Sequence, residues 1–84
     1  MATEAQIRLK IADAIASAEA NPDFGGEEIC RHAVDVVRFY FGVTCAYQHC
    51  GGFDSPGYSI DCYAIAYVTE TGRLGIYDYQ KEAV

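Results

Sequence analysis

Apolar residues recur every three or four positions in the first half of this chain and then alternate with polar ones in the second. Ile7, Ile11, Ala14, Ile15 and Ala18 share one face at helical spacing. They predict a helix over about 4–20. Thr3 and Gln6 have the spacing of a capping box, with Glu4 in the first turn. Glu4 and Arg8 are spaced for an i,i+4 pair. Asn21-Pro22 stops the helix, because the residue before proline avoids the α region. A second helix is predicted over about 27–41. Ile29, Cys30, Ala33, Val34, Val36, Val37, Tyr40 and Phe41 form its apolar face, and Phe39 lies on the polar side. Gly42 is placed to end it.

Beyond Gly42 the period shortens. Strands are predicted over about 43–48, 58–69 and 73–80, with 51–57 as a loop and 81–84 frayed. Glu70-Thr71-Gly72 suits a three-residue hairpin turn. The fold class is therefore α+β: two N-terminal helices on one face of a three-stranded antiparallel sheet, in the order α-α-β-β-β, as a single domain over 1–84.

The hairpin turn fixes a register. If Thr69 pairs with Arg73, then Val68, Ala66 and Ala64 face Leu74, Ile76 and Asp78 on one side of the sheet. Tyr67, Ile65 and Tyr63 face Gly75, Tyr77 and Tyr79 on the other. The small aliphatic side suits close packing of the helices. The expectation is that they cover it and leave Tyr63, Ile65, Tyr67, Tyr77 and Tyr79 exposed as a partner-binding surface, since tyrosine joins apolar area to a polar tip.

Charge narrows the function classes. The chain has 12 acids and 6 bases among 84 residues, a net charge of −6. No Lys or Arg lies between Arg38 and Arg73, while Asp54, Asp61 and Glu70 do. A phosphate backbone requires clustered cations, so direct nucleic-acid binding is not expected. The acids instead suit a basic protein surface. Asp54, Asp61 and Glu70 therefore join the five sheet residues as candidate partner-binding positions. No basic, apolar leader and no bilayer-length apolar run is apparent, so neither a signal peptide nor a membrane partner is expected, and the default location is the cytoplasm.

The candidate chemistry is weak. Cys45 and Cys50 have x4 spacing beside His49, and Cys30 lies near His32. Residues at that strand spacing point to opposite faces, and residues two apart on a helix diverge. Structural zinc sites show tighter pairs. Cys30, Cys45, Cys50 and Cys62 are read as free buried thiols. A Cys–His nucleophile would need a positive surrounding that this region lacks. Gly25-Gly26 and Gly51-Gly52 match no phosphate-binding loop. No catalytic residue, metal or cofactor is expected.

This profile points to a non-catalytic, acidic protein-binding module, an inhibitor that occludes a basic, nucleic-acid-binding surface of its partner. The alternatives are an immunity protein or antitoxin neutralising a toxin, and a homodimeric scaffold subunit pairing through the tyrosine-bearing face. In size, charge and lack of motif the chain is similar to small acidic phage-encoded anti-defence proteins, including anti-CRISPR proteins. That resemblance implies an inhibitor acting in the cytoplasm of a phage's host cell, and it assigns no residue roles.

Overall fold

The capping box at Thr3 is present. Its side chain accepts from the Gln6 backbone N–H at 3.2 Å, and the Gln6 side chain accepts from the Thr3 N–H at 2.9 Å. Helix α1 follows over Glu4–Glu19 and α2 over Gly26–Phe41, where Glu28 reaches back to the Gly25 N–H. In this computed structural model three strands complete the fold: β1 (Cys45–Ser55), β2 (Tyr58–Val68) and β3 (Leu74–Ala83). The structure describes residues 2–83; for 53–55, 58 and 83 the backbone alone is considered.

The sheet is antiparallel with β2 in the centre. The hairpin register matches the sequence reading residue for residue, from Val68 opposite Leu74 to Tyr63 opposite Tyr79. Thr69 N–H donates to the Arg73 carbonyl at 2.8 Å, and Gly72 is left-handed with φ 87°.

Two boundaries differ from expectation. The segment 51–57 is not a loop. β1 runs on to Ser55, and only Pro56-Gly57 separates Ser55 from its partner Tyr58. The reason is a β-bulge between His49 and Gly52, which absorbs one extra residue and lets pairing resume. Gly52 permits the close approach, because a Cβ there would run into the Ile60 carbonyl oxygen. At the other end β3 continues through Ala83, so 81–83 pair with β2 rather than fray.

The core contains the predicted helical faces. Ile7, Ile11, Ala14, Ile15 and Ala18 of α1 are buried, as are Ile29, Cys30, Ala33, Val34 and Val37 of α2. Tyr40 is a correction: it lies at the C-terminal end of α2 and is 63% exposed. Lys10 Nζ sits over its ring, 3.9 Å from the centroid.

The larger correction concerns the sheet. Tyr63, Ile65, Tyr67 and Tyr79 are buried beneath the helices, and Tyr77 is partly buried against the same core. The helices cover the tyrosine side and leave the aliphatic side open. Volume gives the physical reason. The helices present many small side chains, Ala14, Ala18 and Ala33 among them, and small residues against small residues would leave space unfilled. Tyrosines opposite alanines fill it.

Candidate protein-binding face

The inner and outer sheet surfaces follow from strand alternation. On the inner side three tyrosine tips find helical carboxylates. Tyr67 donates its hydroxyl hydrogen to Glu4 Oε2 at 3.0 Å, Tyr79 to Glu19 Oε2 at 3.2 Å, and Tyr47 to Glu27 Oε1 at 3.1 Å. Arg8 Nη1 donates to the Tyr67 hydroxyl oxygen at 3.2 Å and to the Ile76 carbonyl at 3.0 Å. Glu4 and Arg8 therefore converge on one tyrosine hydroxyl. The bond to Tyr67 raises the pKa of Arg8. Burial, reinforced by the nearby Glu19 charge, raises that of Tyr79; burial also raises that of Tyr63.

The helices remove most of the sequence-predicted contact surface from solvent. Tyr63, Ile65, Tyr67 and Tyr79 are core residues, and Tyr77 lies under the Arg8 guanidinium, 5.0 Å from its ring centroid. The helices of the same chain thus occupy the face predicted to pair a homodimer. The predicted acids do not form one cluster. Asp61 shares the parity of Tyr63 and contacts His49 Nε2 at 3.5 Å, whose ring packs on Tyr63. Glu70 lies in the hairpin turn and accepts from the Ala2 N–H at 2.9 Å. Asp54 is paired with Ser59 through its backbone, and its side chain lies outside the described residues.

The outer face is the candidate that the sequence reading missed. Ala46, Ala64, Ala66, Val68, Leu74 and Ile76 lie on it, with Leu74 66% and Ile76 52% exposed. Further along β3 come Asp78, Gln80 and Glu82, all exposed. The outer positions of all three strands include no Lys or Arg. Arg8, Lys10, Arg31 and Arg38 belong to the helices and their ends, while Arg73 and Lys81 share the helix-facing parity of β3. The face is thus apolar at its hairpin end and acidic toward the C-terminal end of β3. Asp78 was the available signal. A carboxylate paired with Ala64 is out of place beneath helices and ordinary in water.

The edges of the sheet are managed. Thr69 N–H donates to the Arg73 carbonyl and the Arg73 N–H donates to Thr69 Oγ1, so the alternation that follows has Gly75, Tyr77 and Tyr79 also bond β2. The N–H and C=O groups of Leu74, Ile76 and Asp78 then point to the free edge. Arg8 occupies the Ile76 carbonyl there. On the β1 edge, the bulge interrupts the regular ladder.

The cysteines divide by environment. Cys30 and Cys45 are buried, and desolvation pushes both thiols up to about 11. Cys50 is exposed and Cys62 half-buried, which corrects the expectation of four buried thiols. Cys45 and Cys50 fall on opposite sheet faces, as alternation requires. Among the described residues no three His, Cys, Asp or Glu side chains gather as a metal site, and no helix is long and apolar enough to cross a membrane. No family model, curated protein or solved structure matches this chain.

Proposed function

We propose that this chain is a non-catalytic protein-binding module whose outer sheet face docks on a partner surface that is apolar at its centre and basic at its rim. The observation that carries this reading is the uncovered face itself. Leu74 and Ile76 stand exposed beside Ala64, Ala66 and Val68, next to Asp78 and Glu82, with no cation on that face. Apolar area of this kind supplies contact energy, while uncompensated acids select against acidic surfaces and favour basic ones. A nucleic-acid-binding protein presents such a basic surface, and occlusion of it makes the chain an inhibitor, as in the anti-defence proteins it resembles in profile. Self-pairing through the same face would bring Asp78 and Glu82 of two net-negative copies toward one another, which disfavours a homodimeric scaffold.

The test compares wild type with Ile76→Lys and Asp78→Lys in affinity capture from host lysate, followed by binding of the purified partner. Both substitutions are expected to weaken binding by at least 10-fold, and Asp78→Lys to reduce its salt sensitivity. Addition of wild type to the partner is expected to displace nucleic acid. Equal capture by all three proteins defeats the proposal. Displacement of a toxin activity instead of nucleic acid would favour the immunity-protein reading, and a tight dimer in light scattering would favour the scaffold.

A further inference from the structure

Two of the four cysteines lie opposite one another across β1 and β2. His49 pairs with Tyr63, and Gly52 pairs with Asp61. Between these pairs β1 has two residues, Cys50 and Gly51, and β2 has one, Cys62. The bulge therefore sets Cys50 and Gly51 against Cys62. Gly51 takes the unusual backbone conformation, φ 97°, and has no side chain, so Cys50 is the one of the two that presents a side chain on the side of Cys62; its Sγ lies 3.7 Å from the Gln48 carbonyl oxygen. Gln48 and Ala64 are partners on the outer face. Cys50 and Cys62 each lie two residues from that pair and share its side.

Opposed residues in an antiparallel ladder have Cα atoms about 4.5–5.5 Å apart. A disulfide spans Cα separations of about 4.4–6.8 Å. Cys50 is exposed and Cys62 half-buried, whereas Cys30 and Cys45 are enclosed by the core. The chain thus holds one adjacent, accessible thiol pair and two thiols shielded from reagents, and the latter serve as an internal control.

We propose that Cys50 and Cys62 form a dithiol site that undergoes exchange with small disulfides of the glutathione class and closes to a cross-strand disulfide. The thiolate of Cys50, the more exposed, attacks one sulfur of the small disulfide. An S–S bond forms to Cys50 and one small thiolate leaves. The Cys62 thiolate then attacks the Cys50 sulfur, forming the Cys50–Cys62 bond and expelling the second small thiolate. Two protein thiols are oxidised, one disulfide is reduced to two thiols, and the two protons lost by the protein are taken up by the released thiolates. The site requires no partner protein, so it stands or falls separately from the docking face.

The test treats the folded full-length chain with oxidised glutathione, quenches with acid, and follows intact mass and cysteine-linked peptides. The expected product is two hydrogens lighter than the reduced chain, carries no glutathione, and yields a Cys50–Cys62 linked peptide. Cys62→Ser is expected to stop at one glutathione on Cys50, and Cys50→Ser to react at least 10-fold more slowly. The closing step is expected to have a rate independent of glutathione concentration. Stable glutathione on Cys50 of the wild type, a disulfide between two chains, a bridge involving Cys30 or Cys45, or no reaction would each overturn the proposal. The wild-type measurement stands even if a serine variant fails to fold.

Discussion

The two faces of one sheet have been put to opposite uses. The inner face carries Tyr63, Ile65, Tyr67 and Tyr79, buried under helices whose small residues leave them room. The outer face carries Ala64, Ala66 and Val68 beside exposed Leu74 and Ile76. Polar tips distinguish the two as much as apolar area does. Buried tyrosine hydroxyls require partners, and Glu4 and Glu19 supply them from α1, while Glu27 of α2 serves Tyr47 at the edge of the core. Three of the acids that make the chain negative therefore support the fold. Asp78 and Glu82, on the open side, remain available for a partner.

The contrast breaks first at Tyr67. Tyr67→Ala removes a fully buried ring and is expected to cost about 3–5 kcal/mol, enough to unfold much of a domain this small, as read by urea denaturation. A smaller loss is expected from Gly75→Ala. Its Cβ would run into the Tyr67 ring, and overpacking of this sort costs about 1–3 kcal/mol. Tyr67→Phe keeps the ring but removes the hydroxyl that Glu4 accepts from and one of the two acceptors of Arg8, and is expected to cost about 1 kcal/mol by the same measurement. A loss no larger than that of an exposed substitution would show that the hydroxyl network contributes nothing.

Alkali sharpens the comparison further, because the thiols and tyrosines whose pKa burial raises belong to the core. The thiols of Cys30 and Cys45 have folded values raised from 9.0 to about 11, and Tyr79 is raised as well. A group whose folded pKa is raised contributes its full stability below the unfolded value and loses it as pH climbs toward the folded one. Unfolding midpoints should therefore hold up to about pH 8.5 and fall between about pH 9 and 11. A flat profile across that window would contradict burial of these thiols. The smallest effect belongs to the outer face. Leu74→Lys and Ile76→Lys should shift stability by no more than about 0.5 kcal/mol while weakening partner binding. A large loss of stability would mean that the outer face is structurally engaged.

Much of this molecule was legible in its sequence. The capping box at Thr3, the buried stripe of α1 and the cross-strand neighbours from Thr69–Arg73 to Tyr63–Tyr79 rest on local chemistry and simple periodicity. Such features are set by residues close in the chain or by a turn that fixes the count. The extension of β1 was less visible, because Gly51 and Gly52 read as loop until a bulge gives them a place in the ladder. The placement of Cys50 and Gly51 against Cys62 stayed hidden for the same reason.

What the sequence by itself determined was which residues share a side of the sheet. Which side the helices would cover was left to tertiary structure. Alternation divides a strand into two faces without naming either, and both faces here are largely apolar. The choice depends on filling the space above alanine-rich helical surfaces, on bringing carboxylates to the tyrosine tips, and on keeping Asp78 in water. Those are relations between segments as many as 63 residues apart, such as Glu4 and Tyr67, and they exist only once the layers have met.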